Sequence, residues 1–451
     1  MREITRRSFL ETSGKTVAGL SGLAAFPMTT AKVLGANERV NIALIGCGGR
    51  GRYVARGMAE LGARVTYLCD LHPDRIDETA KFISEVQSEK PKTTKLMQKV
   101  FEDKSVDAVI VATPHHWHAL PAILACQAGK DVYVEKPHCY CVWESQQMIR
   151  AARKYNRIMQ AGTQNRSVPY IHKAIEYINS GKLGDIHLVK VFNLKPKRKV
   201  FTLGNSSSPP EGFDWNAWLG AAPERPYYQS IFENMKWKNF WDFSGGDFLD
   251  DGIHQVDIAT MLMGNPGLPK SISAAGGRFH YTDDSEMPDL LEVCFRFDNF
   301  LMTVEHSCYP EYMRKTSSTI RRNDLLPYWT QNSTRIELYG TKEMMILGRT
   351  GGGWVSMVSG GKIVKKQYGK HPDVFHQKDF LESVKSRKVP NADVELVHAS
   401  CSMMHMANIA YRLGNITLSL DNTGEKFIDN SQADKYLKRQ YRKGFEIPDK
   451  V

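Results

Sequence analysis

Three side chains in this sequence are of the types needed to move a proton beside a reacting carbon: Lys136, Asp250 and His254. Lys136 stands in Glu135-Lys136-Pro137, directly after the short apolar run Asp131-Val132-Tyr133-Val134. A lysine there can act as general acid or base once burial and nearby cations lower its pKa. Asp250 and His254 are spaced i, i+4, and Asp257 follows at i+7, so on a helix all three share one face. A carboxylate one turn from an imidazole can orient it and stabilise its cation, which makes His254 a second candidate for the proton. Both motifs also have bland readings: a surface lysine paired with its neighbour, and a capped helix start with a satisfied histidine.

A proton relay needs something to accept electrons, and a glycine turn upstream supplies the place for it. Gly46-Cys47-Gly48-Gly49-Arg50-Gly51 follows the apolar run Val40 to Ile45 and precedes a helical pattern. In that context the first glycine makes the tight turn and the second admits a pyrophosphate. The third lets the helix pack on the strand, with its positive end facing the phosphates. Asp70 ends the second strand pattern, Arg64 to Cys69. A carboxylate there accepts from ribose hydroxyls and repels a 2′-phosphate, favouring NAD over NADP, although Arg75 keeps the choice open. Thr113-Pro114-His115-His116-Trp117-His118 follows the third strand pattern and reads as a loop at the nucleotide edge. Its three histidines have no carboxylate or thiolate partner that sequence can identify, so no metal is expected. Trp215, Trp218, Trp237 and Trp241 form an aromatic-rich insertion. Indoles stack on the C–H faces of carbohydrates, and Trp241, nearest in sequence to Asp250, is the candidate for that contact.

The elements that must position these residues fall into two rhythms. From Val40 to Ala161, apolar strands alternate with helical segments, the pattern of a doubly wound parallel sheet. From about Gln164 the strands lengthen (Ile186–Leu194, Leu290–Phe297, Phe300–His306), and Asp298-Asn299 lies between two of them. That spacing predicts an open, mostly antiparallel sheet with helices, the late ones near Asp373–Ser386 and His398–Leu413. The expected division is a leader over 1–36, a Rossmann domain over 37–163, and a substrate-binding and oligomerisation domain over 164–451.

Composition bounds the partners. The 451 residues carry a formal charge of +11 and are 42% apolar. The densest basic cluster, Lys195, Lys197, Arg198 and Lys199, sits on an apparent loop, and no zinc-finger spacing occurs, so nucleic acid is not expected. The eight cysteines are scattered with no C-x-x-C pair, which reads as buried free thiols. Thr5-Arg6-Arg7-Ser8-Phe9-Leu10, followed by a weakly apolar run from Val17 to Phe26, resembles a twin-arginine (Tat) signal peptide. The run is too short for a stable membrane anchor. Export through the Tat machinery, to the periplasm or beyond, would require a tightly held cofactor regenerated within the enzyme's own cycle.

Taken together, Gly46–Gly51, Thr113-Pro114 with His118, Glu135-Lys136-Pro137, Gly162-Thr163-Gln164-Asn165-Arg166 and Asp250-x-x-x-His254 resemble the glucose–fructose oxidoreductase / inositol dehydrogenase (Gfo/Idh/MocA) family. The likeness runs from about Val40 to the C-terminus and is strongest to an exported bacterial subgroup with twin-arginine leaders. It implies a Rossmann domain joined to an open-faced sheet, and a homodimer or homotetramer. It implies that Lys136, Asp250 and His254 form the catalytic group. Gly46, Gly48, Gly49, Arg50, Gly51, Asp70, Thr113, His118, Glu135 and Asn165 would hold NAD. Trp241, Arg166 and Asp251 would meet substrate. His115 departs from the pattern, since asparagine is common there in related sequences. The expected activity is hydride transfer between the nicotinamide and a secondary alcohol of a sugar, glycoside or cyclic polyol. His254, oriented by Asp250, would take the hydroxyl proton while Lys136 steadies the oxygen, or the two would exchange roles. Two alternatives stay open: a redox-neutral lyase or glycosidase cycle through a transient keto-sugar, and a non-catalytic sugar-binding protein.

Overall fold

A computed structural model of the chain describes residues 39–196, 198–421 and 426–451. The Tat-like leader lies outside the described residues. The first half builds a six-stranded parallel sheet in the order β3-β2-β1-β4-β5-β6. Its strands are β1 (Asn41–Ile45), β2 (Arg64–Cys69), β3 (Lys92–Thr94), β4 (Ala108–Val111), β5 (Asp131–Val134) and β6 (Met159–Ala161). The central strands β4 and β5 are buried along their whole length, as expected when helices cover both faces. The order reverses between β1 and β4. There the carboxyl ends of the strands open a crevice, and both the glycine turn and Glu135-Lys136-Pro137 stand at that edge.

The second half is a nine-stranded mixed sheet, ordered β14-β13-β12-β11-β7-β10-β9-β8-β15. These strands are β7 (Ile186–Leu194), β8 (Ser271–Gly277), β9 (Leu290–Arg296), β10 (Leu301–Ser307), β11 (Arg335–Gly340), β12 (Met344–Gly348), β13 (Trp354–Val358), β14 (Lys362–Gln367) and β15 (Thr417–Ser419). Only the β7–β10 pair is parallel; every other pairing is antiparallel. β9 alternates buried and partly exposed residues, so one face packs and the other stays open. The packed face receives two long helices, Gly246–Leu262 and Val394–Arg412. One apolar core runs without a break from Val109 and Val134 of the first sheet through Ile253 and Met403 to Val191 and Val304 of the second.

Several local signals explain the boundaries. Pro73 opens its helix at the first turn. The helix after the glycine turn begins at Gly49, so the last fingerprint glycine lies inside its first turn. The late helix begins at Val394, four residues before the expected His398, because the Asp393 side chain caps it by accepting from the Glu395 N–H at 3.0 Å. The short edge strand β3 (Lys-Thr-Thr) has no apolar pattern and was not expected from sequence. The tryptophan-rich insertion folds on itself around Trp218, Trp237, Phe240 and Phe243.

Candidate active site

The glycine turn fits a dinucleotide pyrophosphate. A Cβ on Gly46, whose φ is +95°, would fall 2.6 Å from the Ala112 carbonyl carbon, and one on Gly51 would fall 2.1 Å from the Gly46 carbonyl oxygen. A Cβ on Gly48 or Gly49 would meet nothing within 4 Å, so the outer side of the turn is open space. The helix Gly49–Glu60 has neither a side-chain cap nor an acidic residue in its first turn, which leaves its first N–H groups and positive end for an anion. Asp70 is fixed at the end of β2 by accepting from the Cys47 N–H at 2.7 Å and the His72 N–H at 2.9 Å. Arg50 reaches from the turn to Glu135 at 2.8 Å and to Asp373 at 3.0 Å, tying the glycine turn to the strand that carries Lys136. Asn165 accepts from the Thr350 N–H at 3.1 Å. The Thr113 hydroxyl is buried without a partner.

Next to this cradle, Asp250 gathers three donors. Lys136 Nζ donates at 2.7 Å to both the Asp250 carboxylate and its main-chain carbonyl. Lys238 Nζ donates to the other carboxylate oxygen at 2.6 Å. His115 Nε2 donates at 3.0 Å, while its Nδ1 accepts from the Ser244 hydroxyl at 3.1 Å. Burial opposes the Asp250 charge, but the two ammonium groups and His115 outweigh it and hold the carboxyl well below the usual range. Burial lowers the Lys136 pKa, with Lys238 adding to it and Asp250 opposing it. Burial likewise pushes His115 down to about 3, so the imidazole is neutral and works as a donor.

Asp251, the next residue along the helix, faces a different set. Lys315 Nζ lies at 2.7 Å, Arg349 at 3.0 Å and Lys195 at 3.8 Å. Burial, then Arg349 and Lys195, bring the Lys315 pKa down to about 8 against the pull of Asp251. Between the two groups His254 is buried, and its Nδ1 has no hydrogen-bond partner. Burial, then the Arg349 and Lys136 charges, lower its pKa well below the ordinary value. The site therefore offers a neutral, unpaired imidazole beside a lysine whose charge is already partly neutralised.

Four expectations are corrected by this geometry. Asp250 does not orient His254, because all its contacts go to Lys136, Lys238 and His115. Arg166 does not face substrate. It is fully buried and paired with Asp257 at 2.7 Å, with further bonds to Asn265 and the Leu396 carbonyl. His118 is a brace, its two ring nitrogens lying 2.6 Å from the Pro137 carbonyl and 2.8 Å from the Thr113 carbonyl. Trp241 packs on Tyr411 and under Arg412, whereas Trp237 meets the His115 ring edge-on at 4.7 Å. Sequence reasoning also missed Lys238, Lys195, Lys315 and Arg349 as site residues. They stand in loops and irregular segments with no motif around them. Lys195 and Arg198, expected on a loop, are both paired, Arg198 to Asp283 at 2.5 Å.

Three family models match this chain. Residues 40–163 match an oxidoreductase-family NAD-binding Rossmann fold, residues 221–346 a GFO/IDH/MocA C-terminal domain, and residues 332–447 an oxidoreductase-family C-terminal α/β domain. Together they cover well over half of the chain. The chain belongs to the Gfo/Idh/MocA oxidoreductase family. Among curated family members it is 28% identical to scyllo-inositol 2-dehydrogenase (NAD(+)) of Bacillus subtilis over 231 residues, 50% of this chain and 55% of that one. It is 26% identical to 2,7-anhydro-N-acetylneuraminate hydratase of Mediterraneibacter gnavus over 265 residues, 58% of this chain and 59% of that one. The chain thus spans less than two thirds of the length of these relatives. The fold is also that of a levoglucosan dehydrogenase solved with NADH and levoglucosan, at a TM-score of 0.62 and 16% identity, covering 85% of this chain and 99% of that one. Within that family, the part of this chain that carries the glycine turn and Lys136 is the part matched by the NAD-binding Rossmann model.

Proposed function

We propose that the protein is an NAD-dependent oxidoreductase that moves a hydride between the nicotinamide and a secondary alcohol of a sugar, glycoside or cyclic polyol. The observation that carries this reading is the Lys136–Asp250 pair, which stands beside an unpaired His254 at the same sheet edge as the open glycine turn. Bound in that turn, the cofactor supplies the hydride acceptor. Asp70, with both oxygens already oriented, favours the ribose hydroxyls of NAD over a 2′-phosphate.

In the oxidation direction the substrate hydroxyl sits between Lys136 and His254. His254 takes the hydroxyl proton while the carbon-bound hydrogen leaves as hydride, giving a ketone and a reduced nicotinamide. Lys136 donates a hydrogen bond to the same oxygen throughout. Asp250 keeps Lys136 in place through two contacts, and Lys238 and His115 keep Asp250 in place. Asp251, held by Lys315 and Arg349, lies one residue along and offers acceptor oxygens to a neighbouring hydroxyl. The roles of Lys136 and His254 in taking the proton are interchangeable in this scheme.

A redox-neutral cycle is the second reading. In it the transient ketone acidifies the adjacent C–H, elimination or bond cleavage follows, and the ketone is reduced again. The hydratase name of the Mediterraneibacter gnavus relative favours keeping it. Export through the Tat route, a cofactor that stays bound, and a dimer or tetramer are part of the same proposal. They rest on the twin-arginine pattern at Arg6-Arg7 and on the family resemblance. Among the described residues no helix is long and apolar enough to cross a membrane.

The test is to incubate folded, leaderless protein with a panel of sugars, inositols and glycosides. The protein is then denatured, and the released nucleotide is identified by mass spectrometry. NADH appearing with one sugar supports net oxidation. NAD that stays oxidised while the sugar changes supports the redox-neutral cycle. An unaltered sugar across the panel with NAD retained supports a binding protein, and no nucleotide at all removes the trapped cofactor.

A further inference from the structure

Directly after Lys136 the chain runs Pro137-His138-Cys139 into the interior, where it meets the helix Val394–Arg412. Three side chains with metal-binding atoms, His138, Cys139 and Cys401, converge there, and His405 adjoins them at Cys139. The Cys139 and Cys401 sulfurs lie 3.6 Å apart. His405 Nε2 lies 3.7 Å from the Cys139 sulfur. A ring nitrogen of His138 falls within 4.8 Å of both sulfurs. Cys401 and His405 are spaced i, i+4, so one helix face presents both. All four residues are buried, and neither cysteine is in a disulfide.

We propose that His138, Cys139, Cys401 and His405 form a structural zinc site that pins the Lys136 segment to the helix Val394–Arg412. Two observations fit such a site. With Zn–S near 2.3 Å and Zn–N near 2.0–2.1 Å, a tetrahedron has S···S edges of about 3.8 Å and S···N edges of about 3.6 Å. The observed pairs, 3.6 Å and 3.7 Å, already sit at those edges. A disulfide would instead need the sulfurs to close to about 2.05 Å. The second observation is His138 itself. It is 1% exposed, its Nε2 is paired with the Ser145 hydroxyl at 2.7 Å, and its Nδ1 is buried with no partner. His138 therefore brings a buried nitrogen still free to bind, in a ring of which one nitrogen lies within 4.8 Å of both sulfurs.

Ligand identity agrees. Two thiolates and two neutral imidazoles are a closed structural zinc set, and two thiolates cancel the charge of the divalent ion in a buried place. On binding, each thiol releases its proton to solvent as its Zn–S bond forms. His405 Nε2 now lies 3.2 Å from the Cys139 carbonyl, so its proton moves to Nδ1 when Nε2 takes the metal. Ser145 also lies 2.7 Å from His398 Nδ1, which makes Ser145 the group that orients His138 from outside the site.

The test measures metal in the full chain expressed with zinc. One zinc per chain after desalting is the expected result, with both cysteines unreactive to a thiol reagent until a chelator is added. Replacing the zinc with cobalt(II) is expected to give the strong visible bands of a tetrahedral site and a sulfur-to-cobalt charge-transfer band. Cys401→Ser is expected to abolish that band. Ser145→Ala, which leaves all four ligands in place, is expected to weaken zinc binding roughly 10–100-fold. The cobalt spectrum of the unaltered chain decides the matter even if Cys401→Ser does not fold. A metal-free chain with weak cobalt spectra and freely reactive thiols overturns the proposal. A Cys139–Cys401 disulfide found by non-reducing peptide mapping overturns it as well.

Discussion

Asp250 and Asp251 are adjacent on one helix, yet they belong to different halves of the molecule. With 3.6 residues per turn, consecutive side chains point about 100° apart. Asp250 turns toward the nucleotide-binding half and takes Lys136 and His115 from it, with Lys238 from the aromatic insertion. Asp251 turns toward the nine-stranded sheet and takes Lys195 after β7, Lys315 after β10 and Arg349 after β12. The first cluster couples the two domains at the point of chemistry. The second is built within the substrate domain alone. Two identical carboxylates therefore do different work because of what the chain brings to each.

If that division is right, the largest effects belong to the Asp250 side. Lys136→Met and His254→Ala are each expected to lower kcat by roughly two to four orders of magnitude, as for a lost general acid or base. Lys315→Met is expected to raise KM with little change in kcat, because it acts through Asp251 and not on the reacting oxygen. Steady-state kinetics with the sugar found in the panel would show both. Equal loss of kcat in all three variants would erase the distinction between the clusters.

Stability separates the aspartates next. Asp250→Asn leaves two half-buried ammonium groups without their buried counter-charge, and a loss of at most about 3–5 kcal/mol is expected from urea unfolding. Asp251→Asn is expected to cost less, because Arg349 keeps Gln255 at 3.1 Å and Lys195 keeps Asp247 at 3.4 Å. Further along the same helix, Asp257→Asn exposes the Arg166 pair as purely structural. It is expected to destabilise by a similar few kcal/mol while nucleotide binding by the folded fraction is unchanged.

The legible parts of this molecule were those where a local rule acts. Gly46 and Gly51 declare the turn because only glycine meets the close approach of Ala112 and the Gly46 carbonyl. The strands Arg64–Cys69 and Ile186–Leu194 and the helix Asp373–Ser386 could be read from apolar period alone. The i, i+4 spacing of Asp250 and His254 did put them on one helix, but it could not say which partner each would choose. That choice was made by Lys238 and His115, reaching in from other segments. Arg166 misled because an arginine beside a cofactor motif looks functional until Asp257 is seen to bury it. His138, Cys139, Cys401 and His405 could not be seen as a group at all, because the pairs join only when the helix Val394–Arg412 packs under the Lys136 segment.

The smallest effect expected is a slope, and it tests the Asp251 cluster by itself. Lys315 loses its proton near pH 8 in the folded protein, because burial and the facing Arg349 and Lys195 outweigh Asp251. In the unfolded chain the same lysine keeps its proton to about pH 10.4. Between those values the unfolded state binds more protons, so stability contributed by this site rises with pH from about 8 to 10. Below pH 8 both states are protonated and the contribution is flat. Urea midpoints at pH 8 and pH 10 for the unaltered protein and for Lys315→Met would isolate the rise, which the methionine variant is expected to lack. A rise of equal size in both proteins would mean that Asp251 offsets the burial of Lys315 in full. The second cluster would then be as tightly neutralised as the first.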